Sequence, residues 1–347
     1  MKLVDTRRVK ITYLLESTDL WGGVKVVFEQ AEALSESGYD VTILSKDSNP
    51  AWYPLKIPIV KVREFNNNTI PESDLIIGTY WTTLRDACTI KKGILVHLCQ
   101  GYEAGNKELK HLKEQIDNVY KLKIPKLTIS PHLNQFLEKN FNSETYYIGQ
   151  MINREIFYPD ITKDDKNNKN FKILVIGPFE ADVKNIATSI KGILIAKKEF
   201  NLPIILVRVS QFKLTEEEKS ILEPDYYYFH IPYTSMGEIY RNSDLLISMS
   251  KEAEGFGLPP VEAMACGIPT ILSIVPAHLS YDNEHNYALF TESTPESVAE
   301  AILKIYRDSN LRNKIKENAL VLIKNFSKES FVSRLIDSFE KILNKYK

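Results

Sequence analysis

Short apolar, β-branched runs alternate with longer amphipathic stretches along the first half of the chain. Residues 9–16 read as a strand, the spacing over 24–37 predicts a helix that stops at Gly38, and 39–45 return to strand, which makes a βαβ unit. Further strands are predicted at 58–62, 74–80, 93–100, 126–130 and 145–148, with helices at 85–90, 108–120 and 132–141. The run Leu75-Ile76-Ile77 has no polar position, as a parallel strand covered on both faces requires.

Across 157–170 the sequence FYPDITKDDKNNKN loses apolar periodicity and becomes charged and Asn-rich, as expected of a linker. The alternation then restarts, with strands predicted at 171–176, 203–209, 226–231, 245–248 and 270–273 and helices at 185–200, 235–241 and 259–266. Thr215 followed three residues later by Glu218 is a capping-box signature. From Thr294 onward the pattern is helical, with Pro295 at a first helical position and Ser327 able to cap the last helix. The expected fold class is therefore α/β, with two doubly wound Rossmann-like domains at 1–156 and 171–328. Open α/β sheets carry ligands beyond the carboxyl ends of their strands, so a ligand shared by the two domains belongs in a cleft that they face.

Composition narrows this reading. With 347 residues, of which 44% are apolar, 10% aromatic and 26% charged, the chain supports two ordinary cores, and disorder and collagen-like readings are excluded. Lys plus Arg number 44 against 45 Asp plus Glu, so the total charge does not draw the chain to nucleic acid. Cys88, Cys99 and Cys266 form no C-x-x-C pair and suit a reducing compartment as buried thiols. No apolar run reaches the roughly 18 residues of a membrane span, and the start lacks a signal-peptide layout, so a cytoplasmic location is expected.

The most informative string is SKEAEGFGLPPVEAMACGIP at 250–269. Gly255 and Gly257 allow close backbone approach, and Pro259 and Pro260 fix the entry of a helix whose first turn is expected to hold Glu262. The free N–H groups at such a helix start suit a diphosphate, while Glu262 and Glu254 suit sugar hydroxyls. A Gly/Pro turn with an acidic residue at a helix start is the alternative for each glutamate taken singly.

The string as a whole, Glu-Gly-Phe-Gly-Leu-Pro followed by Glu-Ala-Met-Ala-Cys-Gly-x-Pro, resembles the E-x7-E signature of family-four retaining glycosyltransferases. The passage 239–245, the strand 287–290, Thr294-Pro295-Glu296 and the junction 326–329 are similar to that family as well. The resemblance implies a GT-B fold, a nucleotide-sugar donor linked to UDP, GDP or dTDP, and a final helix at 329–347 that crosses back to the first domain; no His/Cys/Asp cluster has zinc spacing and no D-x-D string follows a strand, so no required cofactor or metal is expected. It implies catalytic roles for Glu254, at the transferred sugar, and Lys184, at the departing diphosphate. Donor contacts would come from Glu262 at the ribose and from Gly255, Phe256, Gly257 and Leu258.

Pro178 stands where the family has an arginine. Arg208, an apolar-flanked cation in the 203–209 strand, either replaces it or pairs with a structural carboxylate. Gly22 and Gly23 follow the first strand, where the family has a glycine-rich loop at the donor–acceptor junction; a plain turn is the alternative. They do not form G-x-G-x-x-G, so a nicotinamide cofactor is unsupported.

Residues 78–83 and 100–103 are rich in aromatics and hydroxyls. They resemble the rhamnose-polysaccharide subset and nominate Trp81, Gln100, Tyr102 and Glu103 for an acceptor surface, with rim packing as the alternative for Trp81 and Tyr102. His97 and His132 read as ordinary core or surface histidines. The Lys-rich stretch 107–126 reads as a solvated face or a contact with anionic lipid at the inner membrane surface. The expected activity is transfer of a sugar to a saccharide or glycolipid, against two rivals: a non-catalytic sugar-nucleotide-binding or scaffolding subunit, and a sugar-nucleotide epimerase.

Overall fold

A computed structural model describes residues 8–160 and 170–346, so most of the linker expected at 157–170 lies outside the described residues. The chain divides into two compact units. Met1–Ala104, Leu109–Gln150 and Lys328–Lys347 make the first, and Gly105–Glu108 with Met151–Ser327 make the second.

The first unit holds β1 (Lys10–Leu15), β2 (Asp40–Ser45), β3 (Ile59–Lys61), β4 (Leu75–Gly78), β5 (Ile94–Cys99), β6 (Lys126–Thr128) and β7 (Thr145–Tyr147). They form one parallel sheet in the order β3-β2-β1-β4-β5-β6-β7. The chain reverses its direction of travel across the sheet between β1 and β4. All four residues of β4 are buried, which explains its uninterrupted apolar run.

The second unit holds β8 (Phe171–Ile176), β9 (Ile204–Ser210), β10 (Tyr226–Phe229), β11 (Leu245–Ser248), β12 (Thr270–Ser273) and β13 (Leu289–Thr291). Their order is β10-β9-β8-β11-β12-β13, again parallel throughout, with the reversal between β8 and β11. The helix Ile186–Glu199 buries Ile186, Ile190 and Ile193 at helical spacing in the core, where they join Val298, Ile302 and Ile305 of Pro295–Arg307. Thr294 caps that second helix by accepting from the Ser297 N–H.

The structure corrects two expected helices. The one placed at 85–90 begins earlier, at Trp81, and runs to Ala87, because the Thr83 hydroxyl reaches back to accept from the Thr79 and Tyr80 N–H groups. The stretch 108–120 is not one helix: a 3₁₀ run, Lys107–Leu112, leads into the α-helix Lys113–Tyr120. The last helix, Lys328–Tyr346, is part of the first unit, where Arg334 donates to the Ile148 carbonyl at 2.8 Å and Lys345 pairs with Glu144 at 2.7 Å.

Candidate functional site

In the second unit the loops leaving β8 and β11 flank the point where the strand order reverses, the place where open α/β sheets bind ligands. The two loops are laced together. The Lys251 N–H donates to the Val183 carbonyl at 2.8 Å, and Lys184 Nζ donates to Glu254 Oε2 at 2.6 Å. Lys251 and Asp182 add an exposed ion pair, worth little by itself.

Glu254 is 9% exposed, and its Oε2 also accepts from the Ser250 hydroxyl at 2.9 Å. Burial pushes its pKa up, but Lys184, with help from His278 and Ser250, outweighs burial and holds it below the ordinary carboxylate range. The group is therefore an ionised acceptor at neutral pH. Lys184 keeps further N–H donors beyond the one facing Glu254, and its side chain stays partly exposed.

The turn after Glu254 is built on two supports. Phe256 is buried against Tyr281 and Phe326, with ring centroids 5.1 and 5.7 Å away. Gly257 has φ +84° and caps the helix Leu258–Ala265, while Tyr281 Oη donates to the carbonyls of Phe256 and Gly257 at 2.6 and 2.8 Å. A Cβ on Gly257 would sit 2.8 Å from that hydroxyl. Prolines at 259 and 260 lack N–H groups, so the helix start offers its unsatisfied donors at Gly257 and Leu258. Those are two of the amides nominated from the sequence.

Glu262 lies in the second helical turn rather than the first, because the helix starts at Leu258. It is buried, and Tyr240 Oη donates to its Oε2 at 2.8 Å. Beneath the site, Ser273 at the end of β12 donates to the Ser250 carbonyl at 2.6 Å and lies 3.2 Å from His278 Nδ1. Ser250 opens the 250–269 string without having been singled out, and Ser273, His278 and Tyr281 carried no sequence signal, since they lie beyond that string and match no motif.

Arg208 takes the structural alternative. It is fully buried in β9, and Nε donates to Glu218 Oε1 at 2.5 Å. Its remaining nitrogens donate to the carbonyls of Val175, Val209 and Gly177. With its donors turned inward it is not presented as a donor-binding cation, and the position vacated at Pro178 has no replacement from it. Glu218, read as half of a capping box, gives its N–H to Thr215 but its carboxylate to Arg208.

In the first unit, Gly22 and Gly23 are the opening residues of the helix Gly22–Glu36, and Gln100 Nε2 donates to the Gly23 carbonyl at 3.1 Å. The Oε1 of Gln100 is buried and has no partner among the described residues. Trp81 is a correction: it is 5% exposed and belongs to the core, not to a surface. Tyr102 is rim packing, donating to Asp117 at 2.5 Å and lying on Phe136 with centroids 4.9 Å apart.

Glu103 accepts from Tyr120 Oη and from the Trp81 N–H, so it acts as a long-range cap on the helix Trp81–Ala87. Burial drives its pKa up to about 7. His97 is buried edge-on to Tyr120, and burial drives its pKa down to about 3, which keeps it neutral. Cys99 and Cys266 are buried and Cys88 is exposed, against the expectation of three buried thiols. Among the described residues no cluster of His, Cys, Asp and Glu could hold a metal ion, and no helix is long and apolar enough to cross a membrane.

Comparison with known proteins shows what this chain is similar to. Residues 159–321 match the family model described as Glycosyl transferases group 1. The crystal structure of Anabaena HepE in complex with UDP-glucose superposes with a TM-score of 0.80 at 14% identity, covering 96% of this chain and all of that one. The fold is that of the GT-B proteins, two parallel-sheet Rossmann-like domains.

Two uncharacterized glycosyltransferases of Methanocaldococcus jannaschii are 25% identical over 84% of this chain and 24% over 62%; the matches span 77% and 59% of those proteins. The O-antigen chain mannosyltransferase RfbU of Salmonella typhimurium is 25% identical over 51% of this chain and 49% of its own length.

Proposed function

We propose that this chain is a retaining glycosyltransferase that moves a sugar from a nucleoside diphosphate donor, linked to UDP, GDP or dTDP, to a saccharide or glycolipid acceptor. The observation that carries the reading is the Lys184–Glu254 pair on the two loops at the strand-order reversal, next to the left-handed turn at Gly257. An ammonium with donors to spare can neutralise charge developing on a departing diphosphate, and amides at Gly257 and Leu258 can add to that electrostatic stabilisation. Glu254, ionised and held by Ser250, accepts from hydroxyls of the transferred sugar. Glu262 does the same for the ribose.

HepE with UDP-glucose supports the donor class, and RfbU supports a role in polysaccharide or glycoconjugate assembly. Retention of configuration rests on the resemblance at 254–269, and action at the inner membrane face rests on the Lys-rich stretch 107–126. The narrower assignment to rhamnose-containing polymers rests on residues 78–83 and 100–103. In this reading the first unit contributes Gly22 and Gly23 as donor contacts and Gln100 as an acceptor contact, while Glu103, its carboxylate taken by Tyr120 and the Trp81 N–H, supports from within.

The inward-facing Arg208 favours one rival, a sugar-nucleotide-binding subunit without turnover, because half of the usual cationic clamp is missing. Incubation with a panel of UDP-, GDP- and dTDP-sugars and candidate acceptors separates the readings. Nucleotide release with a glycosylated product of unchanged anomeric configuration is the expected result. Tight binding without turnover for every pair would favour the subunit, and an altered sugar still on its nucleotide would favour an epimerase.

A further inference from the structure

Between β8 and Lys184 the chain turns at Gly177, whose φ is +124°, and Lys184 packs back over this turn with its Cγ 3.3 Å from where a Gly177 Cβ would stand. The Gly177 carbonyl points into the sheet, where Arg208 NH2 donates to it at 3.0 Å. The same guanidinium bonds the Val175 carbonyl at 2.7 Å through NH1 and Glu218 through Nε, and the ring of Tyr227 lies 5.9 Å from its Cζ. Val175 and Arg208 are partners in the β8–β9 register, so the guanidinium reaches from mid-strand to the loop just beyond the strand end.

A buried ion pair is weak evidence for stability, because taking both charges out of water offsets much of their attraction. The placement of this one is informative: a rigid planar fork joins β9, β8 and the loop that ends in Lys184. We propose that Arg208, clamped by Glu218, is a positioning residue that holds the Gly177 carbonyl and thereby aims Lys184. The inference rests on the donor-site reading, since aiming Lys184 matters only when a diphosphate lies beside it. Arg208 thus supports the phosphate subsite from below without touching the ligand. The chain that lacks an arginine at 178 has one beneath the loop instead.

The test is a double-mutant cycle in the full chain. Arg208→Met combined with Glu218→Leu replaces the pair by apolar side chains and is expected to fold with a melting temperature near that of the wild type. Arg208→Lys keeps a charge opposite Glu218, but one ammonium cannot reproduce the fork. UDP, GDP and dTDP are titrated by calorimetry into each variant, alone and combined with Lys184→Ala.

Both sets of changes are expected to weaken binding of the preferred nucleotide about 5- to 50-fold in the Lys184 background and by less than about twofold once Lys184 is alanine. Equal weakening in both backgrounds would mean general loosening and overturn the proposal, as would unchanged affinity in the Lys184 background. If the wild type bound none of the three nucleotides, the donor-site reading itself would fall, an outcome distinct from binding that is present but uncoupled to Arg208.

Discussion

Lys184 and Glu254, 70 residues apart in sequence, meet at 2.6 Å between Nζ and Oε2, and the carboxylate is the more deeply buried partner. Removing the cation therefore does more harm than removing the anion. In the wild type the depressed pKa of Glu254 contributes stability above the unfolded value of 4.5, and that contribution is lost as pH falls through the folded value.

Lys184→Met should reverse this slope. With burial dominant, the carboxyl pKa rises, and stability then falls as pH climbs past 4.5. We expect a deficit of about 1–3 kcal/mol at pH 7 that shrinks towards pH 4, read from urea unfolding across the range. A deficit independent of pH would rule out the coupling. Glu254→Ala should cost less stability while removing transfer.

Gly257→Ala forces a side chain into the left-handed region and against Tyr281 Oη. Thermal unfolding should show a loss of about 1–3 kcal/mol. Adding Tyr281→Phe removes the hydroxyl that clashes, so the double variant should lose less than the sum of the two single changes. Strict additivity would show that the turn relaxes in another way.

Glu103 supplies a second pH dependence of known sign. Its folded pKa of about 7 lies above the ordinary 4.5, so its contribution is full below pH 4.5 and declines up to about pH 7. Glu103→Gln should flatten this part of the stability profile, measured by urea midpoints at pH 5 and pH 8. An identical slope in the variant would show that the carboxyl titrates normally.

Trp81→Phe keeps most of the buried ring and removes an indole N–H that has no partner among the described residues. Stability should change by less than about 1 kcal/mol, because an unsatisfied donor leaves with the substitution. Acceptor preference in a transfer assay should be unaltered. A changed acceptor profile would return Trp81 to the binding surface.

Strand positions were legible wherever burial on both faces forced an unbroken apolar run, as at β4 and β11. The start of the helix at Trp81 was not, since Tyr80 and Trp81 have ordinary loop chemistry and the cap comes from Thr83 and from distant Glu103. Within the site, Glu254 and Lys184 were nominated by local motifs. Ser273, His278 and Tyr281 converge only after β12 and the segment behind it are in place, and no spacing along the chain encodes that. Glu218 had the right local signature for a cap, yet the demand of a buried guanidinium took its carboxylate.

The first unit contains the last helix of the chain, whose Phe331, Leu335, Phe339 and Ile342 are fully buried. During synthesis that unit therefore waits, with an apolar face uncovered, until residues 328–346 have left the ribosome. Chain termination before the helix Lys328–Tyr346 should thus be felt far upstream, as aggregation of the first unit's sheet.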